Sequence, residues 1–161
     1  MKNKINRLFI VLFLFPCQTF AQSKIYINEF LASNVLTHAD ESEEYDDWIE
    51  LYNNSILSVS MEGWYISDNY NKLKKWQIPT TTLNPGEFLI IWADEDEDQG
   101  TYHTNFKLSA DGEELVLCDA DGNVIDYVQF DEQQTDLSYA RSPNGTGDFT
   151  ITSPTFQSIN P

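Results

Sequence analysis

The chain has 161 residues, and its 26 acidic against 9 basic side chains give a net charge of −17 at pH 7. Such a field repels phosphate backbones and anionic membrane surfaces and attracts cations and basic partners, which argues against nucleic-acid binding. A chain of this length can bury on the order of 65–70% of its unfolded surface, enough for one self-supporting core.

The first residues read as a targeting signal. Lys2, Lys4 and Arg7 precede the unbroken apolar run Leu8–Phe15, and Thr19-Phe20-Ala21 offers a small-x-small cleavage site. That layout is a secretory signal peptide over residues 1–21. The apolar run is too short for a membrane span, which needs roughly 20 such residues. Cys17 suggests the alternative of a lipid-anchored chain, although Phe15-Pro16 is bulkier than a lipidation signal prefers. Cleavage after Ala21 leaves 6 basic against 26 acidic residues, a net charge of −20 over 140 residues. Cys118 is then the one cysteine, so an exported domain must hold together without an internal disulfide. Its neighbours Leu115, Val116 and Leu117 mark it as a small buried hydrophobe.

The remainder reads as β-structure. Ile25, Ile27 and Leu31 alternate with more polar residues, with Glu29 breaking the pattern on their own face. In Asp47–Tyr52 the aliphatic residues fall at every second position, as in a half-buried strand. Further strands are expected at 64–67, 75–78, 87–92, 114–118 and 124–130. Phe88–Trp92 is apolar on both faces and reads as a central strand. Asn84-Pro85-Gly86 fits a type II turn, Asp121-Gly122 a hairpin, and Asp111-Gly112 another reversal. Seven or more short strands with regular turns predict an antiparallel sandwich or barrel, with residues 22–161 as one domain.

Several segments together resemble the lamin tail domain in its secreted bacterial form. Ile27–Asn34 is similar to the family's first strand, Asp47–Asn53 to its second and Gly63–Asp68 to its third. Lys75–Pro79, Pro85-Gly86 leading to Ile91-Trp92-Ala93, Phe106–Ser109, Gly112–Leu115 and Ser138–Arg141 follow in the family's order. The likeness runs over residues 24–160. It departs at Ala140, where glycine is expected, and at Phe156-Gln157, which replace a more usual Pro-Gly. The resemblance implies an immunoglobulin-like antiparallel β-sandwich that acts as a secreted or surface binding module. No coiled-coil rod, basic nuclear signal or prenylation box is seen beside it, so filament and chromatin roles are not implied.

Asp94-Glu95-Asp96-Glu97-Asp98 forms the strongest local constellation. Carboxylates at Asp94, Asp96 and Asp98 are spaced like the first ligands of a calcium loop, and calcium would offset the repulsion of an acidic chain. The loop lacks the glycine that a calcium-binding EF-hand carries at its sixth position, where Gln99 stands instead. A solvated acidic loop is the simpler interpretation. A second acidic stretch, from Asp40 to Asp47, meets the first if both loops lie at one end of the sandwich. His38 and His103 do not form a zinc pattern by spacing. No nucleophile motif is present, so catalysis is not expected. Trp48, Trp64, Trp76 and Trp92 either pack between strands or form a sugar-stacking face.

The leading expectation is therefore a non-catalytic module that binds an extracellular protein or surface polymer, with calcium as its candidate ion and no membrane insertion of the mature chain. A carbohydrate-binding module and a small secreted hydrolase are the alternatives. Burial of all four tryptophans would remove the tryptophan-platform version.

Overall fold

The computed structural model describes residues 25–161; the expected signal peptide and Cys17 lie outside the described residues. Among the described residues eleven strands form three antiparallel sheets: β1 Ile25–Leu31, β2 Trp48–Asn53, β3 Val59–Ser60, β4 Tyr65–Ser67, β5 Trp76–Gln77, β6 Thr82–Leu83, β7 Phe88–Trp92, β8 Glu113–Cys118, β9 Val124–Phe130, β10 Ser138–Ser142 and β11 Asp148–Thr152. A 3-10 turn, Tyr70–Lys72, follows β4. No helix among the described residues is long and apolar enough to cross a membrane.

One sheet has the order β11-β10-β1-β2-β7 and the facing sheet the order β5-β4-β8-β9, with β3-β6 as a small ribbon. The expected turn chemistry closes the hairpins. Gly86 takes φ 78° and Glu87 N–H donates to Asn84 at 3.0 Å, while Gly122 takes φ 91° and donates to Asp119 at 3.0 Å.

Alternation within the strands fills one main core. Ile25, Ile27, Phe30, Ile49, Leu51 and Ile91 of the first sheet meet Ile66, Trp76, Leu115, Leu117, Val128 and Phe130 of the second. Cys118 is fully buried, as its apolar setting suggests. All four tryptophans are buried, so none offers an open ring for a sugar platform.

One expectation changes with the topology. Phe88–Trp92 is the edge strand of its sheet, paired with β2 along its length and bridged on its outer side only at Trp92, to His103, and is not a central strand. Its apolarity on both faces has a different cause. Leu31, Trp48, Ile90 and Trp92 form a second cluster on the outer face of the sheet, covered by Phe156 from the C-terminal segment. Phe156 lies edge-on to Trp48 at 5.2 Å and is stacked on His38 at 4.2 Å.

The same segment explains Glu29. Glu29 and Glu50 are partners in the β1–β2 register, and both are fully buried beneath it. Thr155 donates to Glu29 from its backbone N–H at 2.9 Å and also from its hydroxyl. Glu50 accepts from Asn28 Nδ2 at 2.9 Å and from Gln157 N–H at 2.6 Å. Buried carboxylates are tolerated because their oxygens are hydrogen-bonded. Phe156 and Gln157 reach these contacts with φ 25° and 56°, in the region that favours glycine. Gln157→Gly is therefore expected to raise stability by about 0.5–1 kcal/mol, read as a higher urea midpoint with unchanged slope.

Candidate functional site

The two acidic loops meet at one end of the first sheet. The loop between β1 and β2 is folded by its own polar residues. Asn34 Nδ2 donates to the carbonyls of His38 (2.7 Å) and Asp46 (2.8 Å), and Asn34 N–H donates to Asp47. Asp40 Oδ1 accepts from the N–H groups of Ser42 (2.9 Å) and Glu44 (2.8 Å), an Asx turn that fixes its carboxylate. Opposite it, the chain leaving β7 turns through the acidic run and returns beside Trp92. There Trp92 N–H donates to Tyr102 and Thr104 N–H donates to Trp92, at 2.8 and 2.9 Å. That return places His103 in the interior. Gln99 Nε2 joins the loops by donating to Glu44 at 3.0 Å.

Asp94 belongs to this site, but it is turned inward. It is buried, with one oxygen on His103 Nδ1 and the other accepting from Asp96 N–H at 3.2 Å. Asp96 and Asp98 are exposed. The residues brought together are instead Asp40, Glu41 and His103, whose ligand-type atoms all lie within 4.8 Å of one another. Among the described residues they are the one such group of three.

His103 is fully buried at its side chain and Asp94 nearly so, while Glu41 is more than half exposed. With Nδ1–H directed to Asp94, the ring presents a lone pair at Nε2 whenever it is neutral. Nε2 stands 3.3 Å from Glu41 Oε1 without hydrogen-bonding geometry and has no hydrogen-bond partner. Asp40 Oδ2 and Asp46 Oδ2 are likewise buried and unpaired. Burial opposes the imidazolium, but the hydrogen bond to Asp94 and the negative charge of Asp94 and Glu41 outweigh it and raise the His103 pKa. Burial first, and then repulsion from Asp94, Asp40 and Glu44, raises that of Asp46.

A groove of about 420 Å³ runs from this cluster along β7, lined by Phe88, Leu89, Trp92, Tyr102 and Phe156, with Glu41 at its rim. Trp92 turns its backbone N–H and carbonyl outward, to Tyr102 and Thr104. Strand alternation therefore turns those of Phe88 and Ile90 outward too, where no backbone partner meets them among the described residues.

Sequence reasoning identified the acidic loops and allowed that they could meet. It missed the role of His103, because the residue's partners lie 9, 62 and 63 positions away in the chain and no local spacing marks them.

The two facing antiparallel sheets define an immunoglobulin-like β-sandwich. The family model that matches is the Lamin Tail Domain, over residues 18–132. The chain belongs to the lamin tail domain family. No curated protein matches it. The match ends before β10, yet β10 and β11 complete the sheet to which β1 and β2 belong.

Proposed function

We propose that this lamin tail domain is an exported, non-catalytic binding module that captures an extended, basic segment of an extracellular protein along β7. The observation that carries the reading is the open edge of β7 beside an apolar groove on a strongly acidic domain. An edge strand with outward N–H and C=O groups is a template for strand addition, which draws affinity from main-chain hydrogen bonds and specificity from side-chain pockets. Phe88 and Tyr102 supply apolar and aromatic lining, and Glu41 with the nearby acidic loops favours lysine or arginine on the incoming strand. Export is supported by the signal-like residues 1–21, and is tested by N-terminal sequencing of the released chain, which should begin at Gln22.

A hydrolase reading is less well supported. The free nitrogen of His103 faces carboxylates and not a nucleophile. Calcium at Asp94, Asp96 and Asp98 remains a weaker proposal, because Asp94 is engaged by His103 and by the Asp96 N–H.

The test uses a synthetic decapeptide of alternating valine and lysine as probe. Binding should protect the Phe88 and Ile90 amides from hydrogen exchange. Phe88→Pro removes one outward N–H at an edge position where proline is tolerated, and should weaken binding at least tenfold. Protection elsewhere, or equal binding by the variant, would reject the edge-strand reading.

A further inference from the structure

The cluster at the end of β7 has the parts of a metal centre. His103 is buried, its Nδ1 is held by Asp94, and its Nε2 is unpaired and aimed at Asp40 and Glu41. A carboxylate behind a ligating imidazole fixes the tautomer and ring orientation and increases the basicity of the nitrogen that binds metal. Asp40 Oδ2 is a buried carboxylate oxygen without a partner, while the other oxygen of that carboxylate is anchored by the N–H groups of Ser42 and Glu44.

We infer that Asp40, Glu41 and His103 bind a divalent transition-metal ion of the zinc type, with Asp94 as the positioning residue behind His103.

Donors about 2.1 Å from a tetrahedral ion stand about 3.4 Å apart. The Glu41–His103 separation of 3.3 Å already matches one such edge. The remaining donor separations are within 4.8 Å, and Glu41, the exposed member, has room to adjust its place in the set. A buried imidazole selects against calcium and magnesium, which require an oxygen shell with six or more positions. Three protein donors leave a fourth position for water or for a carboxylate of a bound partner. Gly100 adjoins the cluster closely. A Cβ there would collide with Glu41 Oε1 and stand 2.9 Å from His103 Nε2, so the absence of a side chain keeps the ligand face open. The site does not depend on strand addition at β7, and either proposal can fail while the other stands.

The experiment is a calorimetric titration of the purified chain with zinc chloride after removal of metal by EDTA, alongside a parallel titration with calcium chloride. One zinc per chain is expected, bound at least a hundredfold more tightly than calcium. Glu41→Gln is a surface change that should keep the chelator-state melting temperature and weaken zinc at least tenfold. Asp94→Asn should weaken it by about 10- to 100-fold, as loss of a carboxylate behind a metal-bound imidazole does. Cobalt in place of zinc should give visible absorption that His103→Asn abolishes. Failure to bind zinc at one per chain, calcium binding of equal strength, or parental affinity in both Glu41→Gln and Asp94→Asn would overturn the inference. If Asp94→Asn fails to fold, Glu41→Gln with the calcium comparison decides the matter alone.

Discussion

Replacing Arg141 by methionine is expected to destabilise the domain by about 3 kcal/mol, the low end of the range for removing one partner of a buried ion pair, since this pair is only partly buried. Arg141 donates from Nη2 to both oxygens of Asp126 at 3.1 and 3.2 Å, from Nε to the Ile27 carbonyl at 2.9 Å, and from Nη1 to Gly147. Asp126 in turn accepts from Ile27 N–H at 2.8 Å. The pair thus joins β10 of one sheet to β9 of the other, beside the irregularity in β1 between Ile27 and Glu29. Burial pushes the Asp126 pKa up, and Arg141 is the largest opposing influence, so its removal strands a carboxylate. The guanidinium also lies 4.3 Å from the Phe149 ring centroid, a packing contribution that lysine cannot reproduce. Urea unfolding would measure the loss. The double variant Arg141→Met with Asp126→Leu should recover much of it, since the cost comes from the uncompensated charge and not from the absence of a charge pair.

Acidification from pH 8 to pH 5 is expected to stabilise the metal-free domain. Burial raises Glu50 to about 7, although hydrogen bonds from Asn28 and Gln157 oppose it. Burial also raises Glu113 to about 7 and Asp47 to about 6. Each group binds its proton more tightly in the folded than in the unfolded chain. Between the unfolded value near 4 and the folded value near 7, the native state therefore holds more protons, and stability falls as pH rises. His103, also raised, acts in the same direction. The lowered groups Glu87 and Asp119 lie at the surface and oppose the trend weakly. Glu50 alone contributes on the order of 2–3 kcal/mol. Urea midpoints in chelator should rise towards pH 5, and Glu50→Gln should remove a large part of that rise. A midpoint that fell on acidification would contradict this assignment of buried acids.

Most of the sandwich was legible in the sequence because its strands obey period-two alternation and its turns carry glycine where φ is positive. Gly86 and Gly122 are examples. β11 was not legible, since Ile151 is half exposed and the strand packs only one face. The two-residue ribbon β3–β6 is too short to carry a period. The edge position of β7 was misread because its outer face is covered by a residue from the far end of the chain, Phe156. Glu29 was visible as an anomaly in an apolar pattern, but its explanation lay at Thr155, 126 residues away. The candidate site was half legible. Acidic runs show in composition, whereas the burial of His103 depends on an isolated parallel bridge that returns its loop beside Trp92.

The place of β1 governs the order of assembly. This first strand is flanked by β2, its close neighbour in sequence, and by β10, more than a hundred residues later. Glu29 and Glu50 lie in its ladder, and their oxygens gain full satisfaction only when Thr155 and Gln157 arrive. A nascent chain that has emerged only through β9 therefore holds a sheet with a missing neighbour, two uncovered acids and two uncovered tryptophans. Such a chain has strong reason to remain loose until its last residues are present. Folding that waits for such distant contacts belongs to the slow, millisecond-to-second class.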